Sequence, residues 1–112
     1  MTKAVFRKKE GLYINFEVNG HASYADSGND IVCAGISTAV IMSINLLDKL
    51  IPDLFEVIQD DAVGYICLKN IEYSKMSTYD ISIVTKIIDN LIVTLEIIQV
   101  NYQNHLKVKI EN

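Results

Sequence analysis

The sequence predicts an α+β fold in which a mostly antiparallel sheet packs against two helices. Two observations support this class. Strand-like segments with alternating apolar residues occur in pairs joined by short turns, and each pair precedes a longer segment whose apolar residues recur at helical spacing. A last alternating segment completes the element order ββαββαβ. With 112 residues, the chain is expected to form a single domain over residues 1–112.

The first half of the chain predicts a hairpin followed by a helix. Strands are expected at residues 3–8 and 12–18. The side chains of the second strand are expected to alternate between two faces, with Leu12, Ile14, Phe16 and Val18 on one face and Tyr13, Asn15 and Glu17 on the other. A helix is expected from an N-cap at Asp30 to about Leu50. Its core-facing stripe consists of Ile36, Val40, Ile44, Leu47 and Ile51.

The second half repeats this arrangement and adds one strand. Strands are expected at residues 54–59 and 63–69, then a helix from Ser77 to Tyr102. The last strand, 106–110, alternates apolar residues with lysines, which is typical of a sheet edge. The helix has a core stripe of Ile81, Val84, Ile88, Leu91, Leu95, Ile98 and Tyr102. More apolar residues lie on its other sides: Ile83, Ile87, Val93, Ile97 and Val100. Because one core face cannot take them all, a homodimer that covers the remainder is expected.

Composition and charge disfavour several classes of function. The formal net charge is −4, which disfavours nucleic-acid binding, because proteins that bind phosphate backbones cluster Lys and Arg. No signal-peptide core precedes the first strand, and polar residues interrupt the longest apolar runs. A cytoplasmic protein without a membrane span is therefore expected. The two cysteines, Cys33 and Cys67, lack metal-ligand spacing, so no metal, cofactor or structural disulfide is expected.

The strongest chemical signal lies between the first hairpin and the first helix. His21 follows the second strand, and Cys33 is the third residue of the helix that Asp30 caps. At a helix start, unpaired N–H groups and the helix dipole favour a thiolate and could bind the oxyanion of a tetrahedral intermediate. An imidazole nearby would supply the base that a cysteine nucleophile needs. Two ordinary alternatives remain open: a cysteine that only packs in the core, and a surface histidine at a strand end.

Neighbouring residues have competing roles. Asp30 is favoured as an N-cap over a third catalytic residue. Ser37 lies one helical turn after Cys33 on the same face, where its hydroxyl either bonds the Cys33 carbonyl or meets a substrate. His105 has no nucleophile near it in the sequence, and Cys67, inside a strand, is expected to pack.

The motif around these residues resembles a known family. Gly-His-Ala, eleven residues between His21 and Cys33, and then Asp-Ile-Val-Cys-Ala-Gly-Ile-Ser are similar to the ribosomal-processing cysteine protease family, Prp. The resemblance implies a cytoplasmic endopeptidase that removes an N-terminal extension from large-subunit ribosomal protein twenty-seven. It also implies a homodimer in which Cys33 and His21 form a catalytic dyad.

The resemblance implies that Ser37 corresponds to a helix serine that the family carries after its cysteine. The candidate supporting residues next to the nucleophile are Asp30, Ala34 and Ser37. The loop between base and nucleophile is expected to be mobile and to admit the peptide substrate. It consists of Ala22, Ser23, Tyr24, Ala25, Asp26, Ser27, Gly28 and Asn29.

Two other functions are compatible with the residues alone. The motif could build a tight loop in a non-catalytic, ribosome-associated module. Alternatively, Cys33 could act in thiol redox chemistry, with Cys67 as the resolving thiol.

Overall fold

The structure is a computed structural model that describes residues 1–26 and 28–112. It contains five strands and two helices in the predicted order. In sequence, they are β1 (Thr2–Lys9), β2 (Leu12–Asn19), α1 (Ile31–Leu50), β3 (Glu56–Asp60), β4 (Tyr65–Lys69), α2 (Thr78–Asn101) and β5 (Leu106–Glu111). A short 3-10 turn, Tyr73–Lys75, precedes α2.

The five strands form one sheet in the order β3-β4-β2-β1-β5. Three neighbouring pairs are antiparallel, and β5 runs parallel to β1. The α+β class and the predicted element order are therefore confirmed. The predicted edge position of the last strand is also confirmed, and β3 forms the opposite edge, where all five of its residues are exposed.

One hydrophobic core joins the sheet to both helices. Its largest fully buried side chains come from every layer: Phe6, Phe16, Leu68 and Leu106 from the strands, Val40 and Leu47 from α1, and Val84, Ile88, Leu91 and Leu95 from α2. The helices also pack against each other. A Cβ on Gly35 would lie 3.8 Å from the Ile98 side chain, so the start of α1 lies against the end of α2.

Both helices begin at their predicted N-caps. The Asp30 carboxylate accepts a hydrogen bond from the N–H of Cys33, and the Ser77 hydroxyl accepts one from the N–H of Asp80. Each cap satisfies a donor that the helix leaves without a partner in its first turn. The cap at Asp30 fixes Cys33 as the third residue of α1.

The inward face of β2 differs from the prediction. The pairing of β1 with β2 is irregular between Arg7 and Lys8: Arg7 opposes Asn15, and Lys8 opposes Tyr13. This bulge reverses the alternation, so Tyr13 is 3% exposed whereas Ile14 is 40% exposed. A uniform period of two places Ile14 on one face with Phe16 and Val18, and this prediction is wrong for Ile14 because Tyr13 takes the buried position instead.

Tyr13 is held in its buried position by two polar contacts. Its hydroxyl donates a hydrogen bond to the carboxylate of Asp89 on α2. Its backbone carbonyl accepts a 2.7 Å hydrogen bond from the hydroxyl of Tyr73. These contacts tie the bulge in β2 to α2 and to the 3-10 turn.

Helix α1 has the length and apolar composition of a membrane-spanning helix, which the sequence analysis did not anticipate. In the fold one side of the helix packs into the core. Its residues Val32, Ile36, Val40 and Leu47 are buried.

Candidate active site

His21 lies just beyond β2, where the preceding residue, Gly20, lies between the β3–β4 turn and the N-terminal residue. The N–H of Gly20 donates a 2.9 Å hydrogen bond to the carbonyl of Gly64, in the turn between β3 and β4. Gly20 has a φ of +98°, and a Cβ there would lie 2.6 Å from the carbonyl oxygen of Met1. Only glycine fits this backbone conformation at such close approach. The exposed His21 side chain therefore starts from a constrained strand end.

Cys33 is positioned by the start of α1. Its thiol is free and half-buried. The preceding residue, Val32, is buried in the core, which fixes the rotation of the helix about its axis. The N–H of Cys33 donates a 2.8 Å hydrogen bond to Oδ1 of Asp30. The N–H of Ala34 donates a 3.0 Å bond to the Asp30 carbonyl and begins the helical pattern.

The Asp30 carboxylate accepts hydrogen bonds from N–H groups of both the preceding loop and the first turn of α1. Burial raises its pKa, but hydrogen bonds from the N–H groups of Cys33, Tyr24, Ala25 and Val32 outweigh this and lower the pKa overall. The N–H groups of the first turn could bind an oxyanion, as expected above. In this structure the N–H of Cys33 donates to the predicted cap, Asp30, so this donor is already occupied.

His21 and Cys33 both line a cavity of about 180 Å³. One side is α1, which contributes Cys33, Ile36, Ser37, Val40 and Ile41. The other side is the end of β2 and the β3–β4 hairpin, which contribute Val18, Gly20, His21, Gln59, Asp61, Gly64, Tyr65 and Ile66. Thr2 also lines it. The thiol and the imidazole thus share one cleft between helix and hairpin.

The candidate supporting residues on α1 lie on different sides of the helix. Ser37 lines the cavity with Cys33, whereas Ala34 lies on an exposed side of α1. Hydroxyl bonds to the carbonyl four residues earlier occur at Thr38 and Ser43. Within residues 1–26 and 28–112, no such bond joins Ser37 to the Cys33 carbonyl. Its hydroxyl is therefore free to meet a ligand in the cleft.

The loop after His21 is attached at both ends of its described part. Ala22 is fully buried. The N–H groups of Tyr24 and Ala25 donate to Oδ2 of Asp30, at 3.0 and 3.5 Å. The N–H of Asn29 donates a 2.9 Å bond to the Asp26 carbonyl. Ser27 lies outside the described residues, and the expected mobility of the loop stays a prediction.

His105 has a role that the sequence analysis missed. Its Nδ1 lies 2.9 Å from the carbonyl oxygen of Ala22. The ring of Tyr24 packs edge-on against the rings of both His105 and Tyr102, with centroids 5.3 Å apart in each pair. The loop is thereby fastened to the junction between α2 and β5. The contact could not be read from a local pattern, because the two partners are 83 positions apart in the sequence.

Cys67 lies on the opposite face of the sheet from the cleft. Its strand neighbours Ile66 and Leu68 face the cleft and the core, and Cys67 pairs across the sheet with Glu17. Its thiol is buried beside Tyr65, whose hydroxyl also donates to Glu17. Hydrogen bonding with Cys67, desolvation and Glu17 together raise the pKa of Tyr65 to about 12. The prediction that Cys67 is a packing residue is confirmed.

The β3–β4 hairpin is a wall of the cleft that the sequence analysis did not identify. Its strands begin later than predicted, at Glu56 and Tyr65, because residues 61–64 form a turn rather than the start of β4. Asp61 and Gln59 face the cleft, and the Gln59 amide donates a 2.8 Å hydrogen bond to the Asp61 carboxylate. The available signal was Gly64, a residue that ends strands more often than it continues them.

A two-helix α+β fold with a free thiol and an imidazole in one cleft has the features of a cysteine-dependent hydrolase. Comparison with known proteins defines the class further. The family model described as cysteine protease Prp matches residues 1–107. The chain therefore belongs to the Prp family and is a cysteine protease.

Individual relatives agree with this assignment. The ribosomal processing cysteine protease Prp of Bacillus subtilis is 30% identical over 114 residues, covering 96% of each chain. The protein of the same name from Mycoplasma genitalium is 32% identical over 99 residues, covering 88% of this chain and 90% of that one. A crystal structure of the Staphylococcus aureus ribosomal processing protease Prp with a covalently linked product peptide has the same fold. Its TM-score is 0.84 at 22% identity, over 99% of this chain and 100% of that one.

Proposed function

We propose that this protein is an endopeptidase that removes an N-terminal extension from large-subunit ribosomal protein twenty-seven. The observation that carries the proposal is the shared cleft of Cys33 and His21. The names of the relatives, which are ribosomal processing proteases, support the substrate class. The product peptide bound covalently to the Staphylococcus aureus protein supports a peptide ligand.

In the proposed reaction His21 takes the proton from the Cys33 thiol, and the sulfur attacks the scissile carbonyl carbon. The tetrahedral intermediate collapses, the C–N bond breaks, and the imidazolium gives its proton to the departing amine. Water, deprotonated by His21, then attacks the thioester and releases the acid and the thiol. General-base catalysis of this kind contributes roughly 10²–10⁴-fold.

We propose that the Ser37 hydroxyl donates a hydrogen bond to the substrate in this cleft. It lies one turn from Cys33 and has no bond to the Cys33 carbonyl among the described residues. Since Asp30 occupies the N–H of Cys33, a side-chain donor on the cleft wall suits the oxyanion of the tetrahedral intermediate.

We propose a homodimer as the working form of the enzyme. Of the surplus apolar residues on α2, Ile87 packs against the core and Ile83 is half-buried, so they need no partner. Val93, Ile97 and Val100 remain 53%, 60% and 68% exposed. Met42 on α1 is likewise 66% exposed. Association of two copies would remove this apolar surface from water.

A cytoplasmic location is proposed from the state of the cysteines. Both are free. A protease whose nucleophile must stay reduced suits a reducing compartment. Direct binding to nucleic acid is not proposed, since the net charge of −4 opposes contact with phosphates.

The redox alternative is disfavoured by the positions of the two thiols. Cys33 faces the cleft on the helix side of the sheet, whereas Cys67 is buried on the other face beside Glu17. A resolving thiol must attack the sulfur of the first cysteine, which this separation prevents without unfolding.

The direct test is incubation with the extended ribosomal protein, followed by mass spectrometry of the products. Wild-type protein should release one N-terminal peptide, and Cys33→Ser should release none. The matched control is Cys67→Ser, which removes the other thiol and should cleave normally. Uncleaved substrate with folded wild-type protein would instead support the non-catalytic module. Retained cleavage in Cys67→Ser would disfavour the redox alternative.

A further inference from the structure

The turn between β3 and β4 packs directly on the strand end that carries His21. The carbonyl of Gly64 accepts the N–H of Gly20 at 2.9 Å, and the N–H of Gly64 donates to the Asp61 carbonyl at 3.3 Å. The turn is therefore bonded internally and to the residue immediately before the proposed base. Movement of the turn would be transmitted to His21.

Gly64 leaves no space for a side chain at this contact. A Cβ built on it would lie 2.6 Å from the Gly20 carbonyl oxygen and 2.9 Å from Cε1 of His21. Atom Cε1 lies between the two ring nitrogens, so a side chain on residue 64 would meet the edge of the imidazole that does the chemistry. Gly64 also has a φ of +64°, in the left-handed region that favours glycine.

A catalytic imidazole needs a group that fixes its orientation, and in many enzymes this is a carboxylate or amide hydrogen-bonded to the ring. Within residues 1–26 and 28–112, no hydrogen bond to the His21 ring is seen. The carboxylate of Asp30 is bonded instead to the N–H groups of Tyr24, Ala25 and Cys33. The space beside the ring is left open by Gly64, where a Cβ would lie 2.9 Å from Cε1.

We propose that Gly64 is a positioning residue for His21, because the turn that it forms lies so close beside the ring that it limits the orientations of the imidazole. The proposal rests on the proposed role of His21 as the general base. The absence of a Cβ lets the turn approach the ring, and the bond between Gly20 and Gly64 fixes that approach.

The variant Gly64→Ala tests this proposal, with Gly11→Ala as its matched control. Gly11 lies in the other hairpin turn at a φ of +81°, and a Cβ there would meet nothing within 4 Å. Both variants place alanine in the left-handed region, but only Gly64→Ala displaces the ring. We expect kcat to fall roughly 10–100-fold in Gly64→Ala, the scale of a small geometric misplacement. KM should change little, and Gly11→Ala should resemble the wild type.

A double-mutant cycle with His21→Ala separates positioning from a general loss of structure. If Gly64 acts through the imidazole, Gly64→Ala should have no further effect on kcat once His21 is alanine. A full additional loss in the double variant would overturn the proposal. So would equal kcat in Gly64→Ala and Gly11→Ala when His21→Ala is strongly impaired. If His21→Ala itself keeps wild-type turnover, the base assignment fails instead.

A measurement on the wild-type protein keeps the proposal testable even if Gly64→Ala does not fold. Proton NMR should give a nuclear Overhauser effect between the His21 ring proton on Cε1 and the α-protons of Gly64. Absence of this effect, with the ring resonance assigned and sharp, would overturn the proposal.

Discussion

The Nδ1 atom of His105 lies 2.9 Å from the carbonyl oxygen of Ala22, the residue that follows His21. The second histidine thus supports the segment that carries the first. Because Ala22 is also fully buried, the contact fixes the base of the loop between His21 and α1. His105 is therefore structural in this account.

The variant His105→Ala should weaken the protein without removing its chemistry. It loses one hydrogen bond and one aromatic contact with Tyr24, which together contribute about 1–2 kcal/mol to the free energy of unfolding. Chemical denaturation measures this loss. Turnover should fall far less than in His21→Ala. If His105→Ala instead abolished cleavage while His21→Ala kept it, the two roles would be reversed.

Asp30 gives a prediction about acid stability. A carboxyl group whose pKa is lower in the folded chain than in the unfolded chain stabilises the fold at pH values above the unfolded pKa. For Asp30 the ordinary pKa is 3.8. This stabilisation is lost as the pH falls through the lower pKa that Asp30 has in the folded chain. Asp30→Ala should lower the free energy of unfolding by about 1 kcal/mol at neutral pH.

The control for Asp30→Ala is Asp30→Asn, which keeps an oxygen that can cap α1. It should lose less stability at neutral pH and show a flatter decline below about pH 4. Denaturation curves at several pH values make the comparison. An unchanged pH dependence in Asp30→Asn would contradict the role given to the carboxylate.

The loop at 22–29 is expected to respond to substrate. A peptide must cross the start of α1 to reach Cys33, and the loop borders that approach. Hydrogen exchange of its amides should be fast in the free enzyme and slower with an uncleavable peptide. Equal protection in both states would mean that the loop is fixed and does not respond to substrate.

Gly28→Pro, which replaces a φ of +89° with about −65°, should impair turnover more than stability.

The exposed apolar residues of α2 predict how the dimer can be broken. Ile97→Glu places a charge in the proposed interface and should give a monomer by light scattering at micromolar concentration. The matched control is Val63→Glu, since Val63 is similarly exposed but lies in the β3–β4 turn. A wild-type protein with the mass of one chain would contradict the dimer.

Local patterns were sufficient to predict the elements and to single out Cys33 and His21, which line one cleft. The caps Asp30 and Ser77 follow from residue type and spacing, and so do the helical core stripes. The face of Ile14 was predicted wrongly because the bulge arises from the pairing of β1 with β2. The alternation of residues within β2 alone carries no information about that pairing. The contacts of His105 with Ala22 and of Gly64 with His21 are tertiary, and no local pattern encodes them.

The central claim is that Cys33 is the nucleophile that carries the acyl group of the substrate. Rapid acid quenching during turnover of an activated peptide ester, followed by peptide mapping, tests it most directly. The account predicts a mass increase equal to the acyl group on the fragment that contains Cys33, with accumulation reduced in His21→Ala. An acyl group found on Cys67, or turnover by Cys33→Ser at the wild-type rate, would contradict it.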